Sequence, residues 1–132
     1  APVLSATTLT NSCYQNMFSG CSALVIPPEL PATTLADYCY YNMFLVCSSL
    51  SQAPELKAAT LAPFCYSCMF GNCEKINSVT CLATNISASN CVTSLVYNTA
   101  KNSKGILKIA TGTIDMWNKI YIPQNWTIQE IQ

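Results

Sequence analysis

The amino-acid sequence predicts an α/β repeat solenoid, a coil of stacked units with parallel β-strands and short helices, closed by a C-terminal cap. Three observations carry that expectation. The stretches "ATTLTNSCYQNMFSGCSAL", "ATTLADYCYYNMFLVCSSL" and "AATLAPFCYSCMFGNCEKI" repeat at a fixed step of 26 residues. A period of roughly 20–50 residues marks units that bury their apolar faces only against their neighbours. The aligned columns are also largely apolar: Leu9/Leu35/Leu61, Cys13/Cys39/Cys65, Tyr14/Tyr40/Tyr66, Met17/Met43/Met69, Phe18/Phe44/Phe70 and Cys21/Cys47/Cys73. The period then fades after residue 96, where the chain's two tryptophans, Trp117 and Trp126, follow.

Each unit divides by local chemistry. "ALVIPP", "SLSQAP" and "KINSVT" share a register and read as a short strand entering an extended corner. The Pro2/Pro28/Pro54 column suits a corner, because proline cannot donate in a central ladder. "ATTL", "ATTL" and "AATL" are β-branched and extended. Asn11, Asp37 and Pro63 come next, with Ser89 one step on; Asn, Asp and Ser cap helix N-termini and Pro suits the first helical position. A short helix is therefore expected through "CYQNMF" and its equivalents, with Cys13, Met17 and Cys21 on one face. Gly20 and Asn72 share a column where a left-handed C-cap is expected, and Val46 interrupts it.

Residues 1–96 form the expected solenoid of three clear units and one degenerate one. In the fourth, Leu82 follows Leu56, Cys91 follows Cys65, and Leu95–Val96 replace Met–Phe. Residues 97–132 are the expected cap of the same domain. Within it "GILKIA" (105–110) reads as a strand displaced by inserted residues. "IPQNWTIQEI" (122–131) reads as a final strand with Trp126 and Ile128 on one side. Large aromatics suit a terminal unit that must cover the last apolar face. At the other end Ala1 and Pro2 align with Pro27 and Pro28. A coil entered at its corner implies upstream repeats or a cap, and self-association through the uncapped N-terminal coil.

Composition narrows the function. The chain of 132 residues is 51% hydrophobic and 9% charged, with six lysines, six carboxylates and neither arginine nor histidine. That inventory makes no basic patch for nucleic acid and no charge run for an anionic membrane surface. No apolar stretch reaches the ~20 residues of a membrane span, and "APVLSATTL" is not a signal peptide. Without histidine, the usual Ser-His-Asp and Cys-His arrangements are unavailable. Glu29 and Glu55 share a column and read as an exposed ladder rather than a glycosidase pair.

Nine cysteines raise disulfide and metal readings. Six of them occupy two repeat columns beside Met and Phe, the pattern of a small buried hydrophobe, so free buried thiols are expected. Cys65-Tyr-Ser-Cys68 with Cys73 and Cys81 could supply a thiolate metal site. Cys65 and Cys73 are column residues, however, and only Cys68 is new. No cofactor and no metal are expected. Tyr38 and Tyr41 lie off-column, where exposed rings bind partners or sugars. Asn85-Ile-Ser87 and Asn125-Trp-Thr127 match the glycosylation sequon.

Phe–x–x–Cys–x–x–Leu/Ile cores recur as Phe18–Cys21–Leu24, Phe44–Cys47–Leu50 and Phe70–Cys73–Ile76, each preceded by a proline of the Pro2/Pro28/Pro54 column. With the "IPQNWT" ending, where Asn125 stands in place of the usual glycine of "IPxGWT", the chain resembles the bacterial cell-surface leucine-rich repeats called BspA-like. The resemblance implies a right-handed coil with a curved parallel sheet, displayed on or secreted from a bacterial cell. It also implies adhesion, by binding a protein or glycan without catalysis. Val25, Ser51 and Asn77, beside the inward Leu24/Leu50/Ile76 column, are the expected exposed sheet face, with Tyr38 and Tyr41 as further binding candidates. The alternative from another class is a structural spacer projecting a different domain. An enzyme or a cysteine-based metal site is more distant.

Overall fold

The computed structural model describes residues 2–131. Aligned residues of successive repeats are neighbours in it. Tyr14, Tyr40 and Tyr66 stack with ring centroids 5.9 Å apart at each step. Phe18, Phe44 and Phe70 stack at 5.6 Å, with ring planes within 7° of parallel.

Backbone bonding explains how the units meet. The amides of Tyr14, Asn16 and Phe18 donate to the carbonyls of Cys39, Tyr41 and Met43 at 2.9–3.0 Å. Those of Tyr40, Asn42 and Phe44 donate in the same way to Cys65, Ser67 and Met69, and those of Tyr66, Cys68 and Phe70 to Cys91, Thr93 and Leu95. The intervening amides bond locally, three residues back: Cys39 to Ala36, Tyr41 to Tyr38, Met43 to Tyr40 and Cys47 to Phe44. Alternate amides thus serve the local turn and the adjacent unit.

These segments are successions of turns, not the short helices expected from their capping residues. An α-helix would use nearly all of its amides internally, leaving few for the neighbouring unit. The residues between Asn11 and Gly20 are also mostly weak helix formers, rich in Ser, Asn, Cys, Tyr and Phe. Each segment instead enters the left-handed region every fourth residue: Ser12, Asn16 and Gly20, then Tyr38, Asn42 and Val46, then Phe64, Cys68 and Asn72, then Asn90, Ser94 and Asn98. The Gly20–Val46–Asn72 column is left-handed as expected, although it ends turns and not helices. Val46 adopts φ 60° despite its β-branch.

The extended parts of the units pair sparingly. Thr8 bridges Thr34, Leu56 bridges Cys81 and Thr60 bridges Asn85, all parallel. Of the three strands expected at the "ALVIPP" register, only the third forms one: β1 spans Ser78–Cys81. Pro27, Pro28 and Pro54 supply no amide to a ladder in the first two units. There the Ser51 amide meets the Val25 carbonyl at 3.3 Å.

Two further strands follow, β2 at Gly105–Ile109 and β3 at Trp126–Glu130, within the two segments where the sequence places them. The three make a parallel sheet in the order β1-β2-β3. Ser78 pairs with Ile106, a step of 28 residues, so the inserted residues appear as a register displacement. One face carries the buried Val79 and Leu107 and the half-buried Ile128; the other carries Ser78, Ile106 and Thr127. Between β2 and β3 a four-residue helix, α1 (Ile114–Trp117), has its first amide held by the Glu130 carboxylate at 3.2 Å.

Burial is graded along the repeats. In the second and third units Cys39, Met43, Phe44, Cys47 and Leu50 and their equivalents Cys65, Met69, Phe70, Cys73 and Ile76 are wholly buried. In the first unit the same columns open: Met17 is 42% exposed and Cys13 is exposed, while Tyr14, Cys21 and Leu24 are half-buried. Phe18 stays covered because its ring lies on Phe44. At the far end Leu95 and Val96 are covered and Trp117 is fully buried.

Candidate functional site

The residues singled out by sequence lie on two surfaces. Val25, Ser51 and Asn77 are all exposed, but each lies outside the named strands. Val25 and Ser51 share a backbone hydrogen bond, and the Asn77 carbonyl accepts from Ile106 at 3.0 Å. The open face of the sheet continues from them as Ser78, Thr80, Lys108, Thr127 and Gln129, with Ile106 as its exposed apolar residue. This surface is mainly hydroxyl and amide.

Tyr38 and Tyr41 do come together. Their rings meet edge to face with centroids 5.3 Å apart. Tyr38 also stacks on Phe64, one unit away, at 4.7 Å with ring planes 3° apart. The left-handed backbone at Tyr38 and Phe64 places these two rings in one outward column. Tyr38 is 36% exposed, and Tyr41 and Phe64 are half-buried. Three aromatic rings therefore form an ordered platform at the surface.

The cysteines are free thiols. Cys47 donates to the Phe18 carbonyl at 3.0 Å and Cys73 to the Phe44 carbonyl at 2.9 Å, so this column ties each unit to the one before it. Burial pushes the Cys39 thiol up to about 11 and that of Cys81 to about 12. Cys65 is raised further by the same cause, and Cys73 by its contact with the Cys47 thiol and then by burial. Buried, protonated thiols are poor nucleophiles and poor metal ligands. Among the described residues no three His, Cys, Asp or Glu side chains are grouped to hold a metal ion, the Cys65–Cys68–Cys73–Cys81 set included. Glu29 and Glu55 both lie exposed.

A third surface is not evident from the repeats. An open cleft of about 820 Å³ lies beside the inserted loop that precedes β2. Its lining includes Tyr97 and Tyr121, which are 55% and 81% exposed. Asn125 also lines it and donates to the Thr99 and Ala100 carbonyls at 3.1 and 3.3 Å. The fading of the period after residue 96 is the sequence signal that marks this loop. Nothing in residue order joins Tyr97 to Tyr121, 24 positions later.

No known protein family, curated protein or solved structure matches the chain. No helix among the described residues is long and apolar enough to cross a membrane.

Proposed function

We propose that the chain is a leucine-rich-repeat solenoid of the BspA-like type, a bacterial surface or secreted module that binds a protein or glycan without catalysis. Support for the stacked architecture comes from the aromatic columns and from the amides shared between units at a constant step. The binding role rests on one observation, the stacked surface cluster of the exposed Tyr38 with the half-buried Tyr41 and Phe64. Rings held by stacking offer a rigid contact that loses little conformational freedom on binding.

Arrays of immobilised proteins and glycans test this reading. The wild-type chain should be retained on a ligand, and Tyr38→Ala and Tyr41→Ala should lower retention at least tenfold. Retention unchanged in both variants would remove the platform from the function. The structural spacer is the second reading, favoured by the Ser-, Thr- and Gln-rich open face of the sheet. A chain retained on nothing would support it.

A further inference from the structure

We propose that the cleft between Tyr97 and Tyr121 is a binding site for an acidic saccharide, a sugar chain bearing carboxylate groups. The site is separate from the Tyr38 platform. The cleft volume of about 820 Å³ lies within the ~300–1,000 Å³ typical of small-ligand sites. Its location follows from the chain's own register. The step of 26 becomes 28 at β1–β2, and the surplus residues fold into the loop that lines the cleft. Insertions into repeat arrays gather on one face, often the face that binds.

The chemistry of the lining selects the ligand. Tyr97 and Tyr121 expose more ring surface than the chain's other tyrosines. Two such rings lining an open cleft suit the C–H faces of pyranose rings, while their hydroxyls stay in water. Asn98 donates to Asn72 at 2.7 Å, and its own side-chain oxygen accepts no hydrogen bond among the described residues. Asn102, beside it in the lining, makes no side-chain hydrogen bond within the described residues and offers both a donor and an acceptor. Amides of this kind match sugar hydroxyls. Lys101 and Lys104 supply charge, and no carboxylate lines the cleft. Glu74 engages Lys101 at 3.3 Å, whereas Lys104 has no ion-pair partner among the described residues. The unbalanced charge is therefore positive and faces the cleft, which favours a carboxylated sugar over a neutral one.

Calorimetric titration with tetragalacturonate and with neutral galactotetraose tests the assignment, using the full chain at low and raised salt. Tetragalacturonate should bind several-fold more tightly than galactotetraose, and salt should remove that preference. Tyr121→Ala and Tyr97→Ala should each weaken binding of both sugars by at least tenfold. Both rings are exposed, so the variants keep the fold, which circular dichroism checks. Lys104→Ala should weaken the acidic sugar alone, and Tyr38→Ala should change neither. Binding of neither sugar at millimolar concentration, or equal binding of the two, overturns the proposal. Binding lost with Tyr38→Ala but kept with Tyr121→Ala also overturns it, while leaving the platform reading intact.

Discussion

Met17 and Met43 occupy the same repeat column, yet Met17 is 42% exposed and Met43 is wholly buried. Truncating a buried methionine to alanine costs about 2–5 kcal/mol, so Met43→Ala should lower the urea midpoint sharply and Met17→Ala hardly at all. Equal losses would mean that the first unit is covered in solution. Val46 carries the opposite expectation. Left-handed backbone costs an L-residue about 1–2 kcal/mol, and a β-branched one suffers most. Its column mates are Gly20 and Asn72, and its side chain is 47% exposed, so little packing is lost on replacement. Val46→Asn should raise stability by about 1 kcal/mol, read as a higher urea midpoint. A lower midpoint would show that Val46 contributes more by contact than it loses in strain. The buried thiols set a pH dependence. Cys39 and Cys81 are raised from 9.0 to about 11 and about 12. Below pH 9 both folded and unfolded chains keep these protons, and the thiols' contribution to stability is complete. Above it the unfolded chain releases them first, and stability falls by about 1.4 kcal/mol per pH unit for each thiol. The fall ends as the folded thiols ionise near 11 and 12. Urea midpoints measured from pH 8 to 11 should stay level to about 9 and then drop; a level profile throughout would contradict the burial of these groups.

The final strands depend on one close approach. A Cβ on Gly105 would lie 2.3 Å from the indole of Trp126, across the β2–β3 pair. Gly105→Ala should therefore cost about 1–3 kcal/mol through overpacking, with altered tryptophan emission reporting displacement of the ring. Unchanged emission and stability would show that the indole moves aside freely. Both indole N–H groups, of Trp117 and Trp126, are buried without an acceptor. Both rings belong to the buried core and make no side-chain hydrogen bond among the described residues. The turn segments have a polarity of their own. In the second and third units the carbonyls of Cys39, Tyr41 and Met43, and of Cys65, Ser67 and Met69, receive amides from the preceding unit. The matching carbonyls of Cys13, Gln15 and Met17 receive none among the described residues, so the first unit presents a row of acceptors.

At the scale of the whole molecule, the first unit bears on contact between copies of the chain. Two copies facing each other through their first units would oppose acceptor to acceptor, so the backbone cannot pair them as it pairs the repeats. The first unit instead exposes apolar side chains, with Met17, Val25 and Ile26 at 42%, 50% and 63%. We propose self-association of this side-chain kind, seen as scattering that rises with concentration and is suppressed by Met17→Lys. Scattering unaffected by that substitution would place the contact elsewhere on the molecule.

The repeat columns were readable in residue order, since a unit that buries itself against its own likeness must repeat its apolar residues at one step. The stacking of Phe18, Phe44 and Phe70 follows from that logic, whereas β2 and β3 were legible as separate apolar segments after the period fades. The left-handed column at Gly20 and Asn72 was also readable, because few residue types tolerate that backbone. Three properties were not. Column identity cannot tell Met17 from Met43, because exposure depends on what lies against each unit. Capping residues could not distinguish a helix from a run of turns, because the choice depends on whether alternate amides have carbonyls in the next unit to meet. The cleft joins Tyr97 to Tyr121 through an insertion that breaks the period, and only the folded chain brings those two rings to the same opening.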